Sequence, residues 1–369
     1  MKTKAAILFE PGQKLEIHEV DLQEPQSGEV LVRMVAGGLC HSDLHVMTGH
    51  LFAPLPAILG HEGSGIIERV GPGVTSVEPG DHVIPVWRLS CGSCEWCTGG
   101  RPALCDSGAE LRATGRLSDG TTRFTLDGEE LCHFCGVSTF SEYSVIQEDQ
   151  VLKIDKDFPL EYAAILGCAV ITGVGAVFNR AQVRPGSDVA VFGAGGIGLN
   201  VIQGAAIAGA EKIIAVDTHP GKLEFAREFG ATHTVLSGPD ADPAGEIREL
   251  TGGGADYAFE AIGYPATVRQ CFDSLGKRGM AVAIGVMQRT EEVSVPVMDF
   301  IFDEKTLTGS LYGSSRPRID LPKLMNLHSA GKLKLKELLT SEYPFEQINE
   351  GYAALQRGEV ARSIVKFNT

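Results

Sequence analysis

The stretch that decides the fold is VAVFGAGGIGLN, residues 189–200, where an apolar run leads into three regularly spaced glycines: Gly193, Gly195 and Gly198. In a strand–loop–helix unit, the first glycine of such a pattern permits the tight turn. The second lets the backbone approach a pyrophosphate, and the third lets the helix pack closely on the strand. The helix N-terminus adds backbone N–H donors and the positive end of its dipole. The stretch therefore predicts a dinucleotide-binding loop, to which Gly196 and Ile197 also belong.

A second apolar run, KIIAVD, ends in Asp217, about twenty residues after Gly198. An acid at this position can accept hydrogen bonds from both ribose hydroxyls and repels a 2′-phosphate, which favours NAD over NADP. Lys222, five residues further on, is a candidate contact for the adenosine ribose. Two alternatives stay open on the residues alone: a glycine-rich turn with an unrelated surface Asp217, and a Lys222 that is only a solvated helix lysine.

Apolar strands alternate with helix-length segments from about residue 170 to residue 311. The strands are DVAVFG, KIIAVD, YAFEAIG and MAVAIG, and the segments between them include GLNVIQGAAIAGA and PGKLEFAREFGA. Alternation at this spacing is typical of βαβ units, whose parallel sheet is buried on both faces. Residues 170–311 are therefore predicted to form a doubly wound α/β domain that binds the dinucleotide.

Residues 1–169 carry short β-like runs punctuated by glycine and proline, such as EVLVRMVAGG and GSGIIERVG. This pattern predicts a mostly β domain. Within it, the polar and glycine-rich stretch 112–130 is expected to form an exposed loop and hairpin. Residues 312–369 are predicted to form two helices and a final strand, RSIVKFN, that pack back onto one of the two domains.

The composition limits the function classes. A chain of 369 residues is expected to form about two domains. The formal net charge of −15 argues against a nucleic-acid or membrane partner, because both require clustered positive charge. No apolar run is expected to approach the ~20 residues of a membrane span, and the N-terminus is interpreted as a strand rather than a cleaved signal. The nine cysteines fit a reducing cytoplasm, where closely spaced cysteines more often bind metal than form disulfides.

The stretch CGSCEWCTGGRPALC, residues 91–105, suits a tetrahedral zinc site. Four thiolates saturate the ion and leave no position for water or substrate, so such a site is structural. An iron–sulfur cluster and free thiols are the alternatives. Cys132 and Cys135 form a separate Cys-x2-Cys pair, for which a redox role is the alternative to packing. The candidate zinc ligands are Cys91, Cys94, Cys97 and Cys105.

A second set of candidate ligands is scattered along the chain. GLCHSDLH contains Cys40, LGHEGSG contains His61 and Glu62, and LGCAVITG contains Cys168. Two cysteines and one histidine leave one position of a tetrahedral zinc open, as a Lewis-acid catalyst requires. Spacing alone cannot group these residues, and a lone buried cysteine is usually a small core residue.

The chain resembles the zinc-dependent alcohol dehydrogenases of the medium-chain dehydrogenase/reductase superfamily. The GHE run with its trailing glycines, the four-cysteine segment, LGC…TG and GxGGxG occur in the order typical of that family, and the similarity extends from end to end. The resemblance implies a GroES-like, mostly β catalytic domain, residues 1–169 and 312–369, and a Rossmann domain, residues 170–311. It implies a catalytic zinc on Cys40, His61 and Cys168, with Glu62 beside the metal, and a structural zinc on the four cysteines of 91–105.

The resemblance also implies the activity, which is reversible oxidation of an alcohol to an aldehyde by hydride transfer to NAD. Ser42 and His45 would relay the proton from the substrate oxygen to solvent. A turn serine and a surface histidine are the structural alternatives for these two residues. The further cofactor contacts implied are phosphate contacts and positions around the nicotinamide: His41, Arg362, Thr172, Ile262, Ile284 and Val286.

The substrate is less well defined. The chain looks closest to the class III-like branch, whose best-known members oxidise a glutathione adduct of formaldehyde. However, the segment 46–59 lacks the acidic pair of those enzymes, and Ala109 replaces their arginine. We therefore expect primary aliphatic, allylic or aromatic alcohols, with the thiol-adduct formaldehyde dehydrogenase as the alternative. The expected substrate-pocket residues, of which Trp87 has core packing as its alternative, are Leu51, Trp87, Glu110, Phe134 and Cys135.

Several runs, among them MKTKAA, GLCHSD and LCDSGA, resemble bacterial nicotinoprotein alcohol dehydrogenases, which retain NAD through turnover. Nothing in the loop distinguishes a retained from an exchanging cofactor. A non-enzymatic dinucleotide-binding protein is the alternative outside the enzymes, but it predicts loss of a catalytic ligand. A homodimer or homotetramer is expected, with residues 290–311 as a candidate edge strand.

Overall fold

The computed structural model describes residues 1–368, which form two compact units. The first contains Met1–Cys168, Arg316–Met325 and the residues from 335 onward, and the second contains Ala169–Ser315 and Asn326–Lys334. The sequence interpretation placed all of 312–369 in the first domain. Asn326–Lys334 instead clusters with the second unit, where Lys334 donates its backbone N–H to Gln203 Oε1 at 2.6 Å.

The strands of the described residues are β1 Lys2–Leu8, β2 Glu16–Leu22, β3 Glu29–Leu39, β4 Ala57–Ile58, β5 Glu62–Val70, β6 His82–Pro85, β7 Phe124–Leu126, β8 Glu129–His133, β9 Tyr143–Gln147, β10 Val151–Ile154, β11 Asp188–Phe192, β12 Lys212–Asp217, β13 His233–Leu236, β14 Ala255–Glu260, β15 Leu275–Ala283, β16 Thr306–Gly309, β17 Leu339–Pro344 and β18 Arg362–Lys366. The α-helices are α1 His41–Met47, α2 Glu95–Thr98, α3 Asp106–Thr114, α4 Leu160–Ile165, α5 Ile171–Gly175, α6 Gly196–Ala208, α7 Pro220–Glu228, α8 Pro243–Thr251, α9 Pro265–Asp273, α10 Val297–Phe302, α11 Pro317–Ser329 and α12 Ile348–Gln356.

Two β-sheets build the first unit. Strands β1-β2-β7-β8-β4 close into a small barrel, and β10-β6-β5-β3-β18-β17 form the second sheet, with β9 also paired to β3. The long strand β3 pairs antiparallel with β5, β9 and β18, so it joins segments from distant parts of the chain. Its side chains are nearly all buried, which explains its continuous apolar pattern. The predicted GroES-like, mostly β domain is confirmed.

The second unit contains one six-stranded parallel sheet in the order β13-β12-β11-β14-β15-β16. The chain adds β12 and β13 on one side of β11, and then returns to add β14, β15 and β16 on the other side. This is the strand order of the doubly wound dinucleotide-binding fold. Strand β11 is buried from Val189 to Phe192, as expected for a sheet covered on both faces. The predicted Rossmann domain is confirmed.

The predicted hairpin of residues 112–130 is present and about half of the stretch is exposed as expected, but residues 122–124 are buried. Strands β7 and β8 pair antiparallel around the turn at Asp127 and Gly128. Phe124 at the start of this hairpin is fully buried and Arg123 is 2% exposed. The arginine can be buried because its guanidinium pairs with Glu29, also buried, at 2.6 Å.

The expectation that no apolar run approaches the length of a membrane span is wrong. The continuous helical segment Leu160–Ala181 has 22 residues and a mean hydropathy of 1.8, which is long and apolar enough to cross a bilayer. Its apolar window is 89% buried inside the protein. A buried core helix passes the same length and composition test, so this segment is weak evidence for a membrane span.

Candidate active site

Four buried side chains of the first unit converge into one group, which we call the Cys–His centre. It consists of Cys40, His61, Glu62 and Cys168, and one ligand atom of each lies within 4.8 Å of the others. Thiolates bound to one tetrahedral zinc at ~2.3 Å lie about 3.8 Å apart. The group is therefore compact enough to bind a single ion.

Three local structures bring these residues together. Cys40 follows the last residue of β3, His61 immediately precedes β5, and Cys168 lies on a π-helical turn, Leu166–Val170, of the long apolar helix. Such turns occur frequently at functional sites. Gly60 has φ +89°, and a Cβ there would lie 2.6 Å from the backbone nitrogen of Phe140. Only glycine therefore fits before His61.

Asp43 contacts Nδ1 of the His61 ring. This residue was not identified from the sequence. Its Oδ2 lies 3.1 Å from His61 Nδ1, and its Oδ1 accepts the backbone N–H of Gly60 at 3.0 Å. A carboxylate at this place favours the tautomer with the proton on Nδ1 and leaves Nε2 as the ligand atom. Both ring nitrogens of His61 are buried, and neither has an aligned hydrogen-bond partner among the described residues. The sequence feature that could have identified Asp43 is its position three residues after the candidate ligand Cys40.

The protonation of the centre suits a metal. A hydrogen bond with Cys168 lowers the pKa of Cys40 well below its ordinary value, and the same contact raises the pKa of Cys168. Burial lowers the pKa of His61, but Asp43 and Cys40 raise it overall. Two sulfurs, one of them readily a thiolate, and an imidazole nitrogen without a partner form a donor set that fits zinc.

The carboxyl of Glu62 and the guanidinium of Arg362 are in direct contact, and both are buried beside this donor set. Arg362 begins β18, whose next residue, Ser363, pairs with Leu39 of β3 directly before Cys40. Burial raises the pKa of Glu62 to about 8, despite the opposing attraction of Arg362. The sequence interpretation assigned Arg362 to a cofactor phosphate. The structure places its guanidinium on Glu62, and the phosphate contact stays a prediction.

Ser42 and His45 lie on α1, the helix that begins directly after Cys40. His45 is half-buried, with its ring 6.4 Å from that of His41 and 5.9 Å from that of His50. Burial lowers the pKa of His45. The proposed proton relay and the phosphate contact of His41, which is exposed, stay predictions.

Aromatic rings flank His61. The ring centres of Trp87 and Phe134 lie 6.0 and 5.7 Å from that of His61, and both contacts are edge-on. Leu51 and Trp87 pack against the hydrophobic cluster that includes Phe134 and Cys135. Four of the five expected pocket residues therefore either flank His61 or belong to the hydrophobic cluster that packs against it.

The fifth pocket residue, Glu110, is exposed on α3, where it lines a shallow cavity of about 210 Å³ with Ser107 and Arg116.

The Cys132 and Cys135 pair does not favour redox chemistry. Burial raises the pKa of both thiols, that of Cys135 to about 11, so neither is a ready thiolate.

The four cysteines of 91–105 also converge, with their sulfurs within 4.8 Å of one another. The sulfurs of Cys91 and Cys97 are 4.0 Å apart. The backbone N–H of Cys94 donates to Cys91 Sγ and that of Cys91 to Cys105 Sγ, each at 3.4 Å. The backbone N–H groups of Ser93 and Cys94 lower the pKa of Cys91 to about 5, which favours the thiolate that zinc requires. Burial raises the pKa of Cys97 to about 11, so this thiol would have to lose its proton when the metal binds.

The glycine loop of the second unit leads from β11 into α6. A Cβ on Gly198 would lie 1.7 Å from the carbonyl oxygen of Gly193, so only glycine permits this packing. A Cβ on Gly195 would meet nothing within 4 Å, which leaves the loop open to an approaching ligand. Asp217 Oδ2 accepts the backbone N–H of Ala194 at 2.9 Å and so lies beside the loop.

The remaining residues predicted to contact NAD also belong to the second unit, apart from His41 and Arg362. Ile262 and Val286 are 39% and 40% exposed, while Ile284 and Thr172 are buried. Lys222 lies near the start of α7. Their contacts with the cofactor stay predictions.

Comparison with known proteins shows similarity along the whole chain. Residues 26–156 match the family model for an alcohol dehydrogenase GroES-like domain, and residues 196–330 match that for a zinc-binding dehydrogenase. An NDMA-dependent alcohol dehydrogenase from Amycolatopsis methanolica is 43% identical over 99% of both chains. An S-(hydroxymethyl)glutathione dehydrogenase from Escherichia coli is 40% identical over 100% of both. The solved structure of benzyl alcohol dehydrogenase from Acinetobacter calcoaceticus matches with a TM-score of 0.95 at 36% identity, over 100% of this chain and 99% of that one.

Proposed function

This chain belongs to the zinc-dependent alcohol dehydrogenases of the medium-chain dehydrogenase/reductase superfamily, and on that premise we propose that it oxidises primary aliphatic, allylic or aromatic alcohols to aldehydes. It is an NAD- and zinc-dependent oxidoreductase that acts on CH–OH groups. One observation carries the substrate proposal: the buried imidazole of His61 lies within 4.8 Å of two sulfurs and is flanked edge-on by Trp87 and Phe134.

The two groups of candidate zinc ligands differ in the number of coordination positions that they leave open for substrate. Cys40, His61 and Cys168 would hold the catalytic zinc and leave one tetrahedral position for substrate, whereas the four cysteines of 91–105 would saturate a structural zinc. When bound, the catalytic zinc polarises the substrate oxygen and NAD accepts the hydride.

The chain's own residues would position the substrate and move its proton. Trp87 and Phe134 exclude water from the His61 side of the pocket and select flat substituents over branched ones. Ser42 would take the proton of the substrate hydroxyl and pass it to His45. Because burial lowers the pKa of His45, its ring is neutral at pH 7 and can accept that proton.

A panel of alcohols combined with metal analysis tests this proposal. We expect two zinc ions per chain and higher kcat/KM for primary aliphatic, allylic and benzylic alcohols than for branched secondary ones. Cys40→Ser should abolish turnover, while Cys132→Ser, which changes a cysteine outside both groups, should retain it. Activity in Cys40→Ser, or one zinc per chain in the unaltered protein, would refute the assignment.

Oxidation of a thiol adduct of formaldehyde is the second candidate, because the relative that carries that activity in its name is 40% identical over the full length. The apolar segment 46–59 and Ala109 offer no charged group to a large anionic adduct. We therefore expect formaldehyde to be oxidised no faster when glutathione or another small thiol is added. Dependence on a thiol would instead establish the second candidate.

We further propose that NAD stays bound through turnover. The full-length similarity to an NDMA-dependent alcohol dehydrogenase supports this, together with the runs MKTKAA, GLCHSD and LCDSGA, which resemble those of bacterial nicotinoproteins. Heat denaturation of the purified protein should release one NAD per chain. Release of none would show that the cofactor exchanges freely.

A homo-oligomer is the proposed assembly. Strand β16 is the edge of the six-stranded sheet, and α10 beside it in sequence exposes large apolar side chains. Unpaired edge strands and apolar patches are surfaces that natural proteins cover. A second copy of the chain would cover both.

A further inference from the structure

Two buried polar atoms behind the Cys–His centre have no aligned hydrogen-bond partner among residues 1–368: the hydroxyl of Tyr352 and Oδ2 of Asp43. Both side chains are inaccessible to solvent, at 3% and 0% exposure. An unsatisfied buried polar group costs about 1–3 kcal/mol. Such atoms are therefore expected to satisfy each other where they lie close together.

The ring of Tyr352 is held by apolar contacts. It belongs to the same hydrophobic cluster as Leu39 and Phe140, and its ring centre lies 6.1 Å from that of Phe140, edge-on. Its helix α12 approaches closely, since a Cβ on Gly351 would lie 2.4 Å from Leu39 Cδ1. Leu39 immediately precedes the ligand Cys40, so α12 packs directly behind the metal centre.

Asp43 has room for a further donor. Its Oδ1 accepts the backbone N–H of Gly60 at 3.0 Å. Its Oδ2 is 3.1 Å from His61 Nδ1, but the ring N–H does not point straight at it. A carboxylate oxygen accepts two hydrogen bonds, so Oδ2 can also take a hydroxyl.

The electrostatics agree with a Tyr352 hydroxyl that interacts with this carboxylate. Burial raises the pKa of Tyr352 well above its ordinary value, and Asp43 raises it further through its charge and a side-chain hydrogen bond. The hydroxyl therefore keeps its proton and acts as a donor.

We propose that Tyr352 is a positioning residue for the catalytic metal: its hydroxyl donates to Asp43 Oδ2 and so fixes the carboxylate that orients His61. The proposal rests on the proposed function, because it requires a zinc ion on Cys40, His61 and Cys168. With Asp43 held from two sides, the ring presents Nε2 to the metal without having to reorient. Groups that orient metal-binding histidines typically change metal affinity by about 10- to 100-fold.

Tyr352→Phe tests the proposal because it removes one oxygen atom and keeps the packed ring. Zinc transfer to a competing chelator should occur from one of the two sites at an approximately tenfold lower chelator concentration, while the other site is unaffected. The visible spectrum of the cobalt-substituted protein should also change, since it reports the geometry around the metal. Tyr343→Phe is the matched control, because Tyr343 packs against the same hydrophobic cluster.

Unchanged chelator competition and an unchanged cobalt spectrum in Tyr352→Phe would overturn the proposal. The route through Asp43 is tested by repeating the exchange in Asp43→Asn. There it should have little further effect, and an undiminished effect contradicts the proposed hydrogen bond. If the unaltered protein itself binds only one zinc, the proposed function fails, which is a different outcome from failure of this inference.

Discussion

A further group of buried ionisable residues in the first unit lies at the barrel hairpin. There, Arg123 pairs with Glu29 at 2.6 Å and with Asp119 at 2.5 Å. The backbone N–H of Arg123 donates to Nε2 of His133 at 3.2 Å. The histidine is buried next to a permanent positive charge, so its neutral form is the one that fits the fold.

His133 predicts a loss of stability in acid. Burial, with Arg123 as the second cause, lowers the pKa of His133 from 6.5 to about 3. Below pH 6.5 His133 binds a proton in the unfolded chain, whereas in the folded chain it stays neutral down to about pH 3. The free energy of unfolding therefore falls as the pH falls through this window. Between pH 7 and pH 5 the loss from this residue alone is about 2 kcal/mol.

His133→Gln, which retains an acceptor for the N–H of Arg123, should remove this part of the pH dependence. Urea unfolding at the two pH values measures the difference, with the partly exposed His18→Gln as the control for loss of a histidine. An equally steep pH dependence in His133→Gln would show that the residue is not the source.

At the scale of single elements, the four-cysteine segment is predicted to stabilise its own loop by binding a structural zinc. Cys97→Ser should reduce zinc from two ions to one per chain and lower the melting temperature, because metal binding in such sites contributes directly to folding. Metal analysis and thermal unfolding measure both effects. Full stability together with lost turnover would instead give this segment a direct role in catalysis.

Helix α6 depends on the absence of a side chain at Gly198. Gly198→Ala forces a Cβ to within 1.7 Å of the carbonyl oxygen of Gly193 and must push the helix away from the loop. We expect loss of NAD binding, measured as the NAD per chain that heat denaturation releases, and reduced stability. Gly238→Ala is the control, since its Cβ would meet nothing within 4 Å. Normal NAD binding by Gly198→Ala would contradict the proposed loop geometry.

At the scale of the whole molecule, the assembly is the testable property. Ile301 and Phe302 on α10 are 63% and 73% exposed, which is unusual for side chains of this size. Ile301→Asp should reduce the mass measured by light scattering to that of a single chain, because a buried unpaired carboxylate opposes association. Ile319→Asp, at another exposed isoleucine, should not. If both variants keep the mass of the unaltered protein, the interface lies elsewhere.

The sequence alone predicted those features that depend on neighbours along the chain. The Gly193–Gly198 loop, the strand–helix alternation after residue 170 and the four-cysteine segment are local patterns, because their geometry is set within a few turns or strands. The resemblance supplied Cys40, His61 and Cys168 in advance, although no spacing rule groups them. The structure then brought their ligand atoms within 4.8 Å of one another.

Tertiary structure decided which side chains meet around that centre. Arg362 reaches Glu62 because β18 pairs with β3, and α12, which carries Tyr352, packs on Leu39 directly before Cys40. The burial of Arg123 likewise depends on Glu29, a partner 94 positions away. A charge is stable in the interior only when its partner is there. Such partners are chosen by strand pairing and helix packing between distant segments, so no local pattern in the sequence could identify them.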